Sequence, residues 1–365
     1  MNKLPGLVLA LLALAAGCTD PSGDIQLDFQ VSEPIPTVVS VEGLVDLGEV
    51  DSAHVELRSQ DDWKQIPVDL DANFGFEQVL LGQKPDTEYE LRVTAESGGA
   101  TLVSETASFK TGPIPPYLPH ITTTAQDEAL DPGGYIVTSV ISFPSVVVIL
   151  DGDGEPVWWY RAENEEVPIT RARLSNDGRS MLILISDLVL HENNGDNGDQ
   201  PFLRVRLDGS EVITTGVPGA HHDFVEHADG TVAFLAHDIR LVDDEHVRGD
   251  RILELTPDGD LVEVWSVWDN MDFYLDQPQS PGTGWTHANA LDFDEDADEY
   301  TIGLRNFSLI HRIDRASGTV LWTLGSPGSD YQLPDGCTHL FRHQHQFEVR
   351  ENSILVMDNY GAIDG

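Results

Sequence analysis

Cysteine is scarce in this chain. Its 365 residues include only two cysteines, Cys18 and Cys337. At most one disulfide can therefore form within a molecule, which excludes the disulfide-rich scaffolds common among small secreted proteins. Stability has to come from packing, and a hydrophobic content of 40% is sufficient for a sizeable core.

Positive charge is scarce as well. The sequence has 20 Lys and Arg residues against 63 Asp and Glu residues, which gives a formal net charge of −43. A surface with this balance repels nucleic acid phosphates and anionic lipid headgroups, so both are excluded as main partners. The composition leaves the oligomeric state open.

A hydrophobic run long enough to cross and stay in a bilayer is missing near the N-terminus. The apolar segment at residues 7–16 follows Lys3 and ends at Ala15-Ala16-Gly17-Cys18, and its length is typical of a signal peptide. The ending resembles the lipobox of bacterial lipoproteins, in which the cysteine is lipidated and becomes the mature N-terminus. The resemblance implies a signal peptide over residues 1–17, lipidation of Cys18, and an exported protein anchored in the cell envelope, periplasmic or at the cell surface.

Helical periodicity is absent between residues 31 and 112, where short alternating apolar and polar runs predict β-strands. Residues 84–95 and 104–111 resemble the last strands of a fibronectin type III domain, with Tyr89 as its corner tyrosine. We expect a fibronectin type III-like β-sandwich over residues 31–112. A polar tether over residues 18–30 precedes it, and a stiff Pro-rich linker follows it.

Two kinds of hairpin alternate beyond residue 117. The first kind is a strand, an Asp/Gly turn and a strand that usually carries Trp, at residues 146–159, 203–212, 252–265 and 310–322. The second kind begins polar, turns at Asn, Asp or Gly, and returns as an apolar strand, at residues 171–185, 221–236, 287–304 and 343–357. Two hairpins make a four-stranded blade that buries its faces against its neighbours, so the pattern predicts an all-β chain with a β-propeller over residues 117–365.

The hairpins of the second kind start with the residues of chemical interest. In a propeller the innermost strands converge on one axis, so we expect these starts to lie close together. Imidazole, amide and guanidinium groups around one cavity suit an anionic group with three oxygens, and a neutral imidazole is a competent nucleophile. The residues concerned are His221, His222, Asp223, His287, Asn289, Arg305, His343 and His345.

The order of these motifs resembles the arylsulfate sulfotransferase family over about residues 115–365. The resemblance is carried by His221-His222-Asp223-Phe224, by His287 and Asn289, by Arg305, by the segment 310–325, by Gln344-His345 and by Asp358-Asn359. It implies a six-bladed propeller, so we expect further blades C-terminal to Gly365. It also implies a ping-pong reaction, without cofactor or nucleotide sulfate, that moves a sulfuryl group from an aryl sulfate to a phenol.

The resemblance also implies roles for individual residues. His345 would be the transiently sulfated nucleophile, while His287, Asn289 and Arg305 would hold the sulfuryl oxygens and stabilise the transition state. His222 is the preferred acid/base candidate. His221 and His343 are placed as substrate-binding residues.

Two other functions compete with sulfuryl transfer. One is a metal-dependent hydrolase or lyase, since His-x-His on one strand face is acceptable ligand spacing. Its ligands would be His221, His222, Asp223, His343 and His345. The preferred interpretation assigns no metal. The other is a non-catalytic surface propeller of the adhesin type, which the fibronectin-like module favours.

Overall fold

The computed structural model of the protein describes residues 23–60, 62–122, 134–141, 144–162, 167–186, 198–276, 284–325, 328–332, 339–350 and 352–359. The proposed signal peptide, Cys18, Cys337 and the C-terminal end at Gly365 lie outside these residues. Among the described residues, no helix is long and apolar enough to cross a membrane. Within the described ranges the fold is all-β, as predicted, with one four-residue helix, α1 (Val267–Asn270), and one short 3₁₀ turn at Arg305–Phe307.

The described chain divides into two compact units. The first unit comprises the described residues up to Val31, residues 39–80 and residues 86–112. The second unit comprises residues 32–38, residues 81–85 and the described residues from Pro113 onward. Residues 32–38 belong to the second unit because the hydroxyls of Ser32 and Thr37 donate to the carbonyls of Asp208 and Val157, at 2.7 Å each. The sequence pattern, which is local, had included them in the domain over residues 31–112.

The first unit contains two antiparallel sheets, with strand orders β1-β2-β5 and β4-β3-β6-β7, and β8 also pairs with β6. Both sheets contribute to one core, in which Phe29 of β1 meets Phe109 of β8 at a ring distance of 5.7 Å. The strands are β1 (Asp24–Val31), β2 (Val39–Asp46), β3 (Ser52–Arg58), β4 (Lys64–Pro67), β5 (Gly75–Leu80), β6 (Glu88–Ser97), β7 (Ala100–Val103) and β8 (Ala107–Lys110).

Strand β1 replaces most of the tether expected at residues 18–30. It pairs with β2 along its whole length, from Asp24 opposite Asp46 to Val31 opposite Val39. The strand carries an apolar residue at every second position from Ile25 onward. This period of two matches the pleat of a half-buried strand and explains why the segment is paired.

The second unit contains five antiparallel sheets among the described residues, each built from strands consecutive in the chain. The first sheet is β9 (Ile136–Val140), β10 (Val146–Leu150) and β11 (Pro156–Arg161), and the second is β12 (Ile169–Leu174), β13 (Ser180–Ile185), β14 (Asp199–Arg206) and β15 (Val212–Pro218). The third is β16 (Ala220–Glu226), β17 (Val232–Val242), β18 (Glu245–Leu255) and β19 (Leu261–Ser266). The fourth is β20 (Ala288–Asp294), β21 (Glu299–Leu304), β22 (Leu309–Asp314) and β23 (Val320–Gly325), and the fifth is β24 (Phe347–Arg350) with β25 (Ser353–Val356).

Neighbouring sheets stack through their faces, as propeller blades do. Phe202 of the second sheet packs edge-on against Phe224 and Phe234 of the third, at 5.3 and 4.9 Å between ring centroids. A second cluster joins the third and fourth sheets, and a third cluster joins the fourth sheet to the β24–β25 hairpin. The first strands also meet in series, β9 with β12, β12 with β16, β16 with β20 and β20 with β24. The starts of the inner strands are thereby brought together.

Candidate active site

Three candidate histidines have a backbone conformation that residues other than glycine seldom adopt. His222, His287 and His343 have φ angles of 55°, 53° and 50°, which is the left-handed region. His222 lies in a bulge at the start of β16, and His287 directly precedes β20, whose pairing also shifts register near its start. Such backbone costs on the order of 1–3 kcal/mol at each position and is concentrated at functional sites. The repetition of this feature marks one edge of the sheets as the candidate site.

The rings of His222, His287 and His345 lie together although each comes from a different sheet or hairpin. The His222 ring centroid is 5.0 Å from that of His287 and 6.1 Å from that of His345. Burial, and then the nearness of the other imidazoles, lowers the pKa of His222 well below its ordinary value, so this ring is neutral near pH 7. His345 is the exposed member, and its backbone N–H donates to the Met357 carbonyl at 3.1 Å. An accessible imidazole beside neutral ones suits nucleophilic attack.

Arg305 and Asn289 hold the backbone around this cluster. Arg305 opens the 3₁₀ turn after β21, and its backbone N–H donates to the His287 carbonyl at 3.1 Å. Burial, and then the charge of Arg305, lowers the pKa of buried His343. Asn289 Nδ2 donates to the Gln344 carbonyl at 2.7 Å. Asn289 therefore positions the segment that precedes β24.

Asp250 of β18 is a buried carboxylate behind the cluster. Its Oδ1 lies 3.1 Å from His221 Nε2 and 3.5 Å from His237 Nδ1. Its Oδ2 accepts from Thr286 Oγ1 at 2.5 Å and from the Ala288 backbone N–H at 2.7 Å. Burial alone would raise the pKa of Asp250, but hydrogen bonds from His221 and His237 hold that pKa well below its usual range. The group is therefore an anion in the folded protein.

His221 links Asp250 to the imidazole cluster. Its Nδ1 lies 2.8 Å from Nδ1 of His222, and its ring stacks on that of His237 with centroids 3.8 Å apart and planes inclined by 16°. Burial, and then the nearness of His237, lowers the pKa of His221 to about 4. His221 is thus a neutral side chain between a carboxylate and an imidazole.

Asp223 has a different environment from the histidines beside it in the sequence. Its Oδ1 lies 3.0 Å from Arg171 Nε and 3.0 Å from Arg173 Nη2, and its Oδ2 accepts from the Leu291 backbone N–H at 3.0 Å. Because its carboxylate already holds two guanidinium groups, it is a poor candidate for a metal ligand. The carboxylate joins β12, β16 and β20.

The spacing argument for metal binding at His343 and His345 is wrong. Both residues precede β24, which begins at Phe347, and His343 has left-handed backbone. They are therefore not alternate residues on one strand face. A different trio, His221, His237 and Asp250, has ligand atoms that lie within 4.8 Å of one another.

The sequence from residue 120 to residue 360 matches the family model described as arylsulfotransferase (ASST). The chain belongs to the arylsulfotransferase family. The matched range includes every candidate residue of the imidazole cluster, together with Arg305 and Asn289. A comparison with curated proteins finds no matching sequence.

Two solved structures show a distant likeness to this arylsulfotransferase family member. Hydrazine synthase of Kuenenia stuttgartiensis is 11% identical, with 78% of this chain and 75% of that chain covered and a TM-score of 0.35. A structural genomics protein of unknown function from Bacteroides thetaiotaomicron is 10% identical, with 94% of this chain and 97% of that chain covered and a TM-score of 0.31.

One cleft beside the sheets that carry the candidate residues is separate from the candidate site. It has a volume of about 740 Å³ and lies between the fourth sheet and the β24–β25 hairpin. Its lining includes Asp292, Asp294, Glu295 and Glu299, with Arg312 and Arg350, and none of the candidate residues. The excess of carboxylates disfavours a sulfate ester there.

Sequence reasoning missed Asp250, Thr286 and His237. Asp250 and Thr286 carry no motif of their own, and their importance depends on pairing between strands. One local signal was present, since Asp250 is a charged residue two positions before the mostly apolar segment Ile252-Leu253-Glu254-Leu255. Such a residue is seldom buried unless it is paired.

Proposed function

We propose that the protein transfers a sulfuryl group from a phenolic sulfate ester to a phenolic acceptor, without a nucleotide sulfate, through a sulfated His345. The observation that carries the proposal is the placement of His345 beside His222, whose ring also contacts that of His287, with Arg305 bonded to the His287 backbone. The family match supports arylsulfotransferase-type chemistry. Aryl sulfates and phenols are the expected substrates, and no cofactor is required.

In the first half-reaction, a ring nitrogen of His345 attacks the sulfur of the aryl sulfate. The sulfur–oxygen bond to the phenol breaks, and the phenolate leaves with the bonding electrons. His287, Asn289 and Arg305 are the candidates to hold the three sulfuryl oxygens, where donors already in place stabilise developing charge. In the second half-reaction, the acceptor oxygen attacks the same sulfur and the nitrogen–sulfur bond breaks.

Intact-mass measurement tests the covalent step. Incubation with an aryl sulfate alone should add one sulfuryl group, mapped to the peptide that holds His343 and His345 and removed by added phenol. His345→Ala should abolish the adduct, while His246→Ala, which removes an exposed histidine on the β17–β18 hairpin, should leave it unchanged. Arg305→Ala should slow adduct formation by about 10²–10³-fold, since losing one such donor costs about 2.7–4 kcal/mol.

The competing function is a non-catalytic surface propeller. It predicts no turnover of any aryl sulfate and no adduct in the wild-type protein. Full turnover in His345→Ala would contradict the covalent mechanism while leaving sulfuryl transfer in place.

We also propose that the protein is exported and anchored in the cell envelope through lipid on Cys18. The support is the apolar run at residues 7–16 followed by Ala15-Ala16-Gly17-Cys18. Cys18→Ser should release the protein from the membrane fraction and prevent incorporation of labelled fatty acid, whereas Cys337→Ser should do neither. Membrane association that survives Cys18→Ser would contradict the anchor.

The first unit is proposed to be a fibronectin type III-like spacer between the anchor and the enzyme. It is supported by two antiparallel sheets around one core and by Tyr89, which is buried and stacks on Phe109 at 5.5 Å. A corner tyrosine uses its hydroxyl structurally, so Tyr89→Phe should lower the free energy of unfolding by about 1 kcal/mol. Sulfuryl transfer should be unaffected; unchanged stability would contradict the corner role.

A further inference from the structure

Asp250, His221 and His222 form a continuous polar chain that ends in the imidazole cluster. His221 bridges the other two, with Nε2 3.1 Å from Asp250 Oδ1 and Nδ1 2.8 Å from His222 Nδ1. All three side chains are buried or nearly so; Asp250 and His221 are only 1% and 2% exposed. Water does not compete strongly for hydrogen bonds at such positions.

The positions of the protons follow from the carboxylate. An ionised carboxylate only accepts hydrogen bonds, so His221 Nε2 must carry a proton toward Asp250. A neutral imidazole carries one proton, so His221 Nδ1 is an acceptor. The nitrogen facing it, Nδ1 of His222, must then be the donor. Neutral His222 is left with an unprotonated Nε2.

We propose that Asp250 and His221 are positioning residues that fix the tautomer of His222 and stabilise its protonated form. The inference rests on the proposed sulfuryl transfer, since it assigns His222 as the base of that reaction. It differs from a metal site at the same residues, because His221 Nε2 and His237 Nδ1 here hold protons rather than a cation. Both nitrogens are buried and make no well-aligned hydrogen bond among the described residues, but they lie 3.1 and 3.5 Å from the Asp250 carboxylate.

His222 then takes one proton from the acceptor. In the second half-reaction its Nε2 takes the proton of the acceptor hydroxyl as the oxygen–sulfur bond forms and the nitrogen–sulfur bond to His345 breaks. The resulting imidazolium keeps its Nδ1 proton on His221 and is stabilised by the Asp250 charge. Its Nε2 proton then passes to solvent, which returns His222 to the neutral form of the resting protein. No proton has to enter Asp250.

The same carboxylate positions two of the three clustered imidazoles. Oδ1 faces His221, the neighbour of His222, while Oδ2 holds Thr286 and Ala288 on either side of His287. His237 stacks on the ring of His221 and limits its rotation. Asp250→Asn keeps one oxygen that can accept from Thr286 and Ala288, while its amide nitrogen takes the place of the oxygen that faces His221. This variant should therefore disturb proton transfer and leave the neighbours of His287 in place.

Nitrogen-15 NMR of histidine-labelled full-length protein reads the tautomers directly. At pH 7 we expect His222 protonated on Nδ1 and bare on Nε2, and His221 protonated on Nε2 and bare on Nδ1. The opposite pattern overturns the proposal. The proposal is also overturned if the wild-type protein copurifies with one zinc ion per chain and the Asp250→Asn variant does not. These outcomes do not depend on activity, so they test the proton positions even if the wild-type protein forms no sulfuryl adduct. The absence of an adduct would contradict the proposed function and not the proton positions.

Kinetics separate this role from a general structural one. A nitrophenyl sulfate has a leaving group that needs little protonation, so Asp250→Asn should form the adduct at a rate within about threefold of the wild-type rate. Transfer of the sulfuryl group from the adduct to a weakly acidic phenol should slow by about 10²-fold or more in the same variant. His221→Gln keeps a donor toward Asp250 and an acceptor toward His222 and should retain most of the transfer rate. His221→Leu should lose it. Equal slowing of both half-reactions in Asp250→Asn, or equal rates in the two His221 variants, would overturn the proposal.

Glu254→Gln is the matched control for the buried carboxylate. Glu254 lies on the same strand, β18, and is 4% exposed, but its partners are Tyr300 and Arg315 rather than the candidate histidines. This variant should lose stability and keep the wild-type ratio of the two half-reaction rates. If it alters that ratio as much as Asp250→Asn does, the effect at Asp250 is structural and the proposal fails.

Discussion

His311 of β22 is a histidine held neutral by its surroundings and outside the imidazole cluster. It is 7% exposed, its Nδ1 lies 2.9 Å from Thr323 Oγ1, and burial lowers its pKa to about 4. In the unfolded chain its pKa returns to about 6.5. Between these values the unfolded state binds a proton that the folded state does not, so stability is lost as the pH falls from about 6.5 toward 4.

The pH dependence of stability should therefore differ between the wild type and His311→Gln, which cannot titrate. Between pH 7 and pH 5, the wild type should lose about 2 kcal/mol more of its free energy of unfolding than the variant does. Urea unfolding at the two pH values measures the difference. Parallel losses in the two proteins would show that His311 is protonated in the folded state.

Asp223 acts at the scale of elements, because its carboxylate joins the first strands of three successive sheets. It holds Arg171 and Arg173 of β12 and a backbone N–H of β20, and it is 1% exposed. Removing one partner from a buried ionic group leaves the other charges uncompensated, which typically costs about 3–5 kcal/mol.

Asp223→Ala should therefore lower the free energy of unfolding by about 3–5 kcal/mol. Glu348→Ala on β24 is the control: Glu348 pairs with Arg350, but the two side chains are 60% and 55% exposed. An exposed pair contributes about 0–1 kcal/mol, so this variant should be close to wild type. Similar losses in both variants would mean that the Asp223 network does not join the sheets energetically.

Net charge is the property that acts on the whole molecule. With −43 formal charges, mutual repulsion between carboxylates opposes the compact state. Raising KCl from 0.1 M to 1 M shortens the screening distance from about 10 Å to 3 Å, so the melting temperature should rise. At pH 4, where many carboxylates are protonated, the same salt increase should have a smaller effect. A melting temperature independent of salt at pH 7 would contradict the repulsion argument.

The sequence by itself determined the fold class and the approximate position of the site. Alternating apolar residues and Gly/Asp turns are local signals, so the hairpins at residues 171–185, 221–236 and 287–304 were predicted close to the strands β12–β13, β16–β17 and β20–β21. The polar starts of the inner strands were visible for the same reason. The strand at Asp24–Val31 was missed, although its alternation is present, because its outward residues are charged or polar.

Only the tertiary structure decided which polar groups act together. Asp223 meets Leu291 across 68 positions of sequence, and Asp250 meets Ala288 across 38. Such pairs depend on strand register and on how neighbouring sheets stack, and neither leaves a local pattern in the sequence. The left-handed backbone of His222, His287 and His343 is likewise imposed by bulges and loop contacts rather than by residue type. For that reason the histidines could be named from the sequence, but the carboxylate that orients them could not.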